Sequence, residues 1–406
     1  MKILQINTTV NSGSTGRIAE DLGQILISND HQSYIAFGRD AQPSASKVFR
    51  IGNKLSILWH VMITRLFDRH AFASKRATNK LIEWIKLINP DVIHFHCLHG
   101  YYINIRILFN YLETTNIPII WTFHDAWAFT GHCTYFDYKN CFKWRIKCEK
   151  CPNLRAYPES ILYDNSTLNY YEKKALFTKV KRMIIVSPSK WLANYTQESF
   201  LKEYPVELIH NGINLEVFKP TDTGIVKDKY LLKNKHIVLG VASVWSHRKG
   251  LSDFIKLRSM LDTSYLLVLV GLSAEQQKDI PEGILCIKRT ENIKELAGLY
   301  SAADVFVNPT LVDNFPTTNI EALACGTPVI TYNTGGSPEA IDEFTGITTP
   351  KGDIVKLRDA IVEIILKGKD HYTAACRERA IQMFDKNERY ADYLTLYQKT
   401  LNQKHE

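Results

Sequence analysis

Short apolar runs recur along the chain, spaced so that one helix fits between each pair. In the first half they are "KILQIN", "QSYIAFG", "DVIHFH", "PIIWTFH" and "RMIIVSP"; in the second, "HIVLGVAS", "YLLVLVG", "ILCIKR", "VFVNPT" and "PVITYN". Most are continuously apolar rather than alternating, which is the pattern of parallel strands covered on both faces. Helical periodicity falls between them, for example over Arg17–Ser28, Asn79–Ile88 and Ile293–Ala302. This βαβ order occurs twice. It predicts an α/β protein of two Rossmann-like, doubly wound lobes facing each other across a cleft.

The hinge is placed in "LIHNGINLEVFKP", residues 208–220, where a strand is predicted to end at Asn211-Gly212. The expected division is therefore a first lobe over 1–210, a second over 211–385, and a terminal segment 386–406. That segment reads as a helix around Lys386–Lys399, able to stay on the second lobe or cross back to the first.

Composition changes this picture little: 406 residues, 45% hydrophobic and 23% charged, describe a globular protein of two or three domains. The start, "MKILQINTTV", enters a strand without the features of a signal peptide, and no run of about 18 uncharged apolar residues suggests a membrane span. A cytoplasmic location is expected. Charge is more informative. Residues 1–210 hold 26 Lys+Arg against 17 Asp+Glu, and residues 211–406 hold 24 against 25, so the basic excess lies in the first lobe. Within it, residues 54–86 combine seven Lys/Arg with two acids and several Trp, Leu, Ile and Phe. Such a stretch suits an anionic lipid surface at the inner face of a membrane, with Arg65, Arg69, Lys75 and Arg76 as contacts. A helix pair with a solvated basic face is the alternative. No nucleic-acid partner is expected.

Candidate chemistry concentrates after the strands of the second lobe. In "VDNFPTTNIEALACG", Asp313 lies in the loop beyond "VFVNPT" and Glu321 follows eight residues later. A helix is expected to start at Thr317 or Thr318, either of which can cap it. Its first amides lack internal partners and offer a place for phosphate, while carboxylates accept hydrogen bonds from sugar hydroxyls. Together these features suggest a sugar nucleotide. "NTGGSPEAI" (Asn333–Ile341) adds a glycine pair, "SVWSHRKGL" (Ser243–Leu251) offers Arg248 and Lys249 to a diphosphate, and "NSGSTGRIAEDL" (Asn11–Leu22) supplies a glycine turn in the first lobe.

This ordered set resembles the retaining glycosyltransferases of the large family 4, which have the two-lobed GT-B fold; the likeness spans nearly the whole chain and is strongest over 304–341. The acid-x7-acid signature matches Asp313 to Glu321, followed by "ALACGTPVI" and "GGSPE". The resemblance implies that Asp313 lies beside the donor sugar, that Glu321 binds ribose, and that the backbone of Asn314, Phe315, Thr317 and Thr318 meets sugar and phosphate. It also implies that Gly16 faces the donor diphosphate, that His124 lies over the donor sugar, and that Lys249 neutralises the diphosphate. Two positions depart from the family. The first acid is Asp where Glu is usual, and Val244 stands where an Arg is expected, with Arg248 as its substitute. The implied reaction is retaining transfer from a UDP- or GDP-sugar to a glycan or lipid-linked acceptor in surface polysaccharide synthesis, with no metal required for catalysis. A two-lobed epimerase or phosphorylase, and an inactive sugar-nucleotide- or glycan-binding protein of the same fold, are the competing functions.

Four of eight cysteines cluster as Cys133, Cys141, Cys148 and Cys151, in an insert of about 131–155. The terminal C-x2-C is a zinc half-site, although the x7, x6, x2 spacing matches no standard finger. Structural zinc and packed reduced thiols are both open readings. "HFHCLHGYY" (His94–Tyr102) places two histidines on one strand face and aromatics at the strand end, which suits a sugar acceptor better than a metal.

Overall fold

The computed structural model describes residues 1–402. It divides into two compact units, Met1–Ile209 together with the chain from Arg389 onward, and His210–Glu388.

The first unit is built on seven strands: β1 (Lys2–Asn7), β2 (Gln32–Phe37), β3 (Lys47–Arg50), β4 (Val92–Phe95), β5 (Ile119–Thr122), β6 (Met183–Ser187) and β7 (Val206–Leu208). Their order is β3-β2-β1-β4-β5-β6-β7, and every pairing is parallel. Central strands β4, β5 and β6 are buried at every position, whereas β3 and β7 are partly exposed edges. The expected strand ending at Asn211 is instead β7, which stops at Leu208; Leu208 is solvent-facing, while Ile209 just beyond the strand is buried in the core.

The terminal helix, Lys386–Asn402, buries Tyr390, Tyr393, Leu396 and Tyr397 against Ile3, Leu22, Ile120 and Ile184 of this sheet layer. The tyrosines keep their hydroxyls satisfied there: Tyr397 bonds His94 Nδ1 at 2.7 Å, and Tyr393 bonds Thr122 Oγ1 at 3.0 Å. Between β5 and the helix Ser166–Phe177 the chain forms only three single 3₁₀ turns, Trp127–Phe129, Asp137–Lys139 and Lys143–Arg145.

The second unit has six parallel strands: β8 (His236–Val241), β9 (Tyr265–Val270), β10 (Ile284–Ile287), β11 (Val305–Asn308), β12 (Val329–Tyr332) and β13 (Gly346–Thr349). Their order is β10-β9-β8-β11-β12-β13, so the direction of winding reverses between β8 and β11. Open α/β sheets bind ligands beyond the carboxyl ends of the strands at such a reversal. The loops that leave β8 and β11 carry Arg248, Lys249 and Asp313.

Candidate active site

Those two loops are fastened to each other before any ligand is considered. Leu311 N–H donates to the carbonyl of Arg248 at 2.8 Å, and Thr310 Oγ1 donates to the same oxygen at 3.3 Å. Gly250 closes the β8 loop at φ +79°, where a Cβ would stand 2.2 Å from the carbonyl oxygen of Pro309. Only glycine allows that approach. The β12 loop joins from the other side: Gly335, at φ +57°, lies so close that a Cβ would meet the Asp313 carbonyl oxygen at 1.8 Å, and the Gly336 amide donates to that oxygen at 3.2 Å.

Asp313 is thereby fixed beside two cations. Its Oδ2 accepts from Lys249 Nζ at 2.5 Å and lies 3.7 Å from Arg248, while Oδ1 accepts the Asn314 amide at 2.9 Å. Arg248 also donates to the Val312 carbonyl at 2.8 Å. Burial alone would raise the Asp313 pKa, but Lys249 and then Arg248 outweigh it and hold the carboxyl below its ordinary value. One carboxylate between two cations leaves a local excess of one positive charge, the sign that attracts a diphosphate.

Glu321 sits on the helix Thr317–Ala324, with Oε2 accepting the hydroxyl of buried Tyr300 at 2.8 Å. The helix begins at Thr317, and its cap position is Pro316, which makes no side-chain cap bond, so neither Thr317 nor Thr318 caps it. Asn319 orients the helix start instead. Buried Asn319 accepts from Asn308 at 2.7 Å and donates to Ser337 Oγ at 3.0 Å, tying β11, the helix and the β12 loop together. Phe315 is placed differently from a ligand-contacting side chain. Its ring is buried and stacks on His210 at 4.8 Å, and its carbonyl accepts from Asn211.

In the first unit, Gly16 lies inside the helix Gly13–Ser28 rather than in the turn, with Thr9 packed against it and its carbonyl accepting the Asn11 amide at 2.9 Å. The turn position is Gly13. His124, just after β5, is reached by a hydrogen-bond relay. Gln5 Nε2 donates to the Ala19 carbonyl at 2.8 Å, so its Oε1 is the acceptor for His96 Nε2 at 3.0 Å. His96 Nδ1 must then accept from His124 Nε2 at 3.1 Å, which leaves His124 Nδ1 as a lone-pair acceptor. Burial lowers the His124 pKa to about 4, so the ring is neutral near pH 7.

A second pair that residue spacing does not reveal is His99 Nε2 with Asp125 Oδ2 at 2.8 Å, flanked by Tyr157, Tyr101 and Trp127. Its partners lie beyond the ends of β4 and β5, which the sheet makes neighbours. Proximity in the sheet, invisible in spacing, creates it.

Comparison with known proteins matches residues 209–383 to the family described as Glycosyl transferases group 1, and residues 15–217 to Glycosyltransferase Family 4. The chain is a family 4 glycosyltransferase. A relative named as a colanic acid biosynthesis glycosyl transferase, WcaC of Escherichia coli (strain K12), is 24% identical over 386 residues, covering 88% of this chain and 89% of its own. Sucrose-phosphate synthase from Thermosynechococcus elongatus has the same fold, with a TM-score of 0.74 at 19% identity over 98% of both chains. Anabaena HepE, solved in complex with UDP, superimposes with a TM-score of 0.69 at 16% identity over 98% of this chain and all of its own.

Within this glycosyltransferase the two departures from the family pattern have local explanations. Val244, in the place of the expected Arg, is exposed, while the Arg248 guanidinium already stands at Asp313. Asp313, one methylene shorter than Glu, reaches Lys249 directly because the glycine loops hold its backbone close.

Proposed function

We propose that this enzyme transfers a sugar, with retention of anomeric configuration, from a nucleoside-diphosphate donor to a glycan or lipid-linked acceptor in surface polysaccharide synthesis. The observation that carries this reading is the clamped Lys249–Asp313–Arg248 group at the winding reversal of the second unit. As the bond from the anomeric carbon to the phosphate oxygen breaks, negative charge gathers on the diphosphate. Two fixed cations and the start of the helix Thr317–Ala324 stabilise it. Asp313 faces the opposite charge, which develops on the sugar ring. Retention follows from attack on the face the diphosphate leaves; the departing phosphate oxygen takes the acceptor hydroxyl's proton. The cations fill the role that a metal would fill, so catalysis requires none. Neutral His124 suits a sugar hydroxyl as hydrogen-bond acceptor. Structures of HepE with UDP, with UDP and glucose, and with UDP-glucose support a uridine donor, and the names of WcaC and of CapM from Staphylococcus aureus support a polysaccharide product.

Glu321 serves the ribose. Tyr300 holds one of its carboxylate oxygens and so fixes the side chain in place. A thermal-shift panel of sugar nucleotides on the intact protein is expected to favour UDP-sugars over GDP-sugars. With the best donor, Glu321→Gln should weaken binding by roughly 1.5–3 kcal/mol, the worth of a hydrogen bond to a charged group. Unchanged donor affinity in that variant removes Glu321 from the site.

The acceptor side uses the helix Lys54–Phe67, which is turned inside out. Polar His60 and Thr64 are its buried residues, whereas Leu55, Leu58, Trp59 and Met62 form an exposed stripe at helical spacing. Exposed Ile161, Leu162 and Tyr163 extend the patch, with Tyr163 stacked on Phe67 at 5.7 Å. Among the described residues no helix is long and apolar enough to cross a membrane, so an anionic bilayer surface would receive this face. The structure alters the expected contacts: Arg69 is committed to Glu172 at 2.8 Å and to the Phe72 ring, and it is set aside as a lipid contact. Vesicles containing anionic lipid should float the wild type, and Leu58→Ser with Trp59→Ser should abolish flotation without changing donor affinity. A wild type that fails to float at low salt points to a water-soluble acceptor.

A further inference from the structure

We propose that Cys133, Cys141, Cys148 and Cys151 form a structural zinc site that pins the insert between β5 and the helix Ser166–Phe177. All four are free thiols, and all four line a single cavity of about 10 Å³ together with His132, Phe136 and Trp144. That volume is at the lower limit for one water, which excludes an organic ligand and leaves room for one ion. The surrounding chain has three 3₁₀ turns as its only regular structure and an aromatic cluster of Phe129, Phe136 and Trp144, so it has few backbone hydrogen bonds to define it. Zinc bound by four thiolates would cross-link three separate points of this segment.

The Gly131 amide donates to Cys148 Sγ at 3.1 Å, and the Asn153 amide, just past the C-x2-C pair, donates to Cys151, so two backbone donors already face sulfurs of the cluster. Beside them His132, buried and lining the same cavity, pairs with Asp68 through Nδ1 at 2.5 Å and has no partner for Nε2 among the described residues. No group of three or more such side chains among the described residues is already set at metal-holding spacing, so the sulfurs must close onto the ion by side-chain rotation.

The test uses the full-length protein, purified under reducing conditions without added metal or chelator. Elemental analysis should find about one zinc per chain, and exchange with cobalt should give the intense visible bands of a tetrahedral thiolate complex. Cys148→Ser with Cys151→Ser should lose the metal and lower the melting temperature of the first unit. Should that variant fail to fold, mercurial titration of wild type should release one zinc as four thiols react. Metal-free protein whose four thiols react freely, disulfides among them, or another metal in place of zinc overturns the proposal. Zinc content is read apart from transfer, so this result does not depend on the donor assignment.

Discussion

Lys249→Ala is expected to lower turnover by about 10²–10³-fold while donor affinity changes far less, as for removal of a preorganised group at developing charge. Lys249 is held on Asp313, and Asp313 is held by backbone contacts to two glycine loops, so the ammonium is already positioned before the donor arrives. The diphosphate carries charge in the ground state, but more gathers on its bridging oxygen as the sugar departs, and the interaction grows with it. Asp313→Asn should also depress turnover more than binding, because it removes the charge that faces the sugar ring and frees Lys249. Release of nucleoside diphosphate under saturating donor, beside calorimetric donor binding, measures the two effects separately. Wild-type turnover in both variants would sink the site assignment.

The second large effect is loss of stability in mild acid, centred on the first unit. His60, His70, His94 and His96 are all buried there, and half-buried His124 adjoins His96; burial lowers each pKa from 6.5, to about 3 for His60 and His94 and to about 4 for His124. The folded protein therefore binds none of these five protons near pH 6, whereas the unfolded chain binds them as pH falls through 6.5. Their contribution is fully present above pH 6.5 and is lost as pH falls toward the folded values. His99 and His132 have raised pKa values, so they are protonated in both states below pH 6 and cancel. At about 1.4 kcal/mol per proton and pH unit, five protons amount to about 6 kcal/mol between pH 6 and pH 5. That is a large share of a typical folding free energy of 5–15 kcal/mol. Six of the seven tryptophans precede residue 210, so intrinsic fluorescence reports this unit. His94→Gln should flatten the limb by about one proton. A wild-type limb no steeper than one proton would show that the histidines are not buried neutral.

Why parts of the structure were legible in the sequence is clearest at the strands. Each buried strand announced itself as a mostly apolar run, because a strand covered on both faces keeps a polar residue only where it finds a hydrogen-bond partner, as Gln5 and His94 do. The edges β3, β7 and β13 did not. They are short and partly exposed, and Lys47, Arg50 and Glu207 break any apolar pattern. The helix Ile293–Ala302 falls where its periodicity and its Asn292 cap place it. The helix Lys54–Phe67 lies in the stretch read as suiting a lipid surface, but that His60 and Thr64 are its buried residues was not legible, because His60 bonds Ser74 and the Ala71 amide, partners that only the fold supplies.

By itself the sequence determined the fold class, the family and the acid-x7-acid stretch with its glycine companions, since all of these depend on residue type and local spacing. Tertiary structure alone decided what those residues meet. Lys249 and Asp313 are 64 positions apart, and they pair because β8 and β11 are neighbours in the sheet. His94 and Tyr397 are 303 positions apart, and they meet because the terminal helix packs on the first unit. Hydrophobic periodicity records how much of each strand is buried, but not which strand lies beside it. Partner identity, and with it charge pairing and proton affinity, is a property of the order of strands.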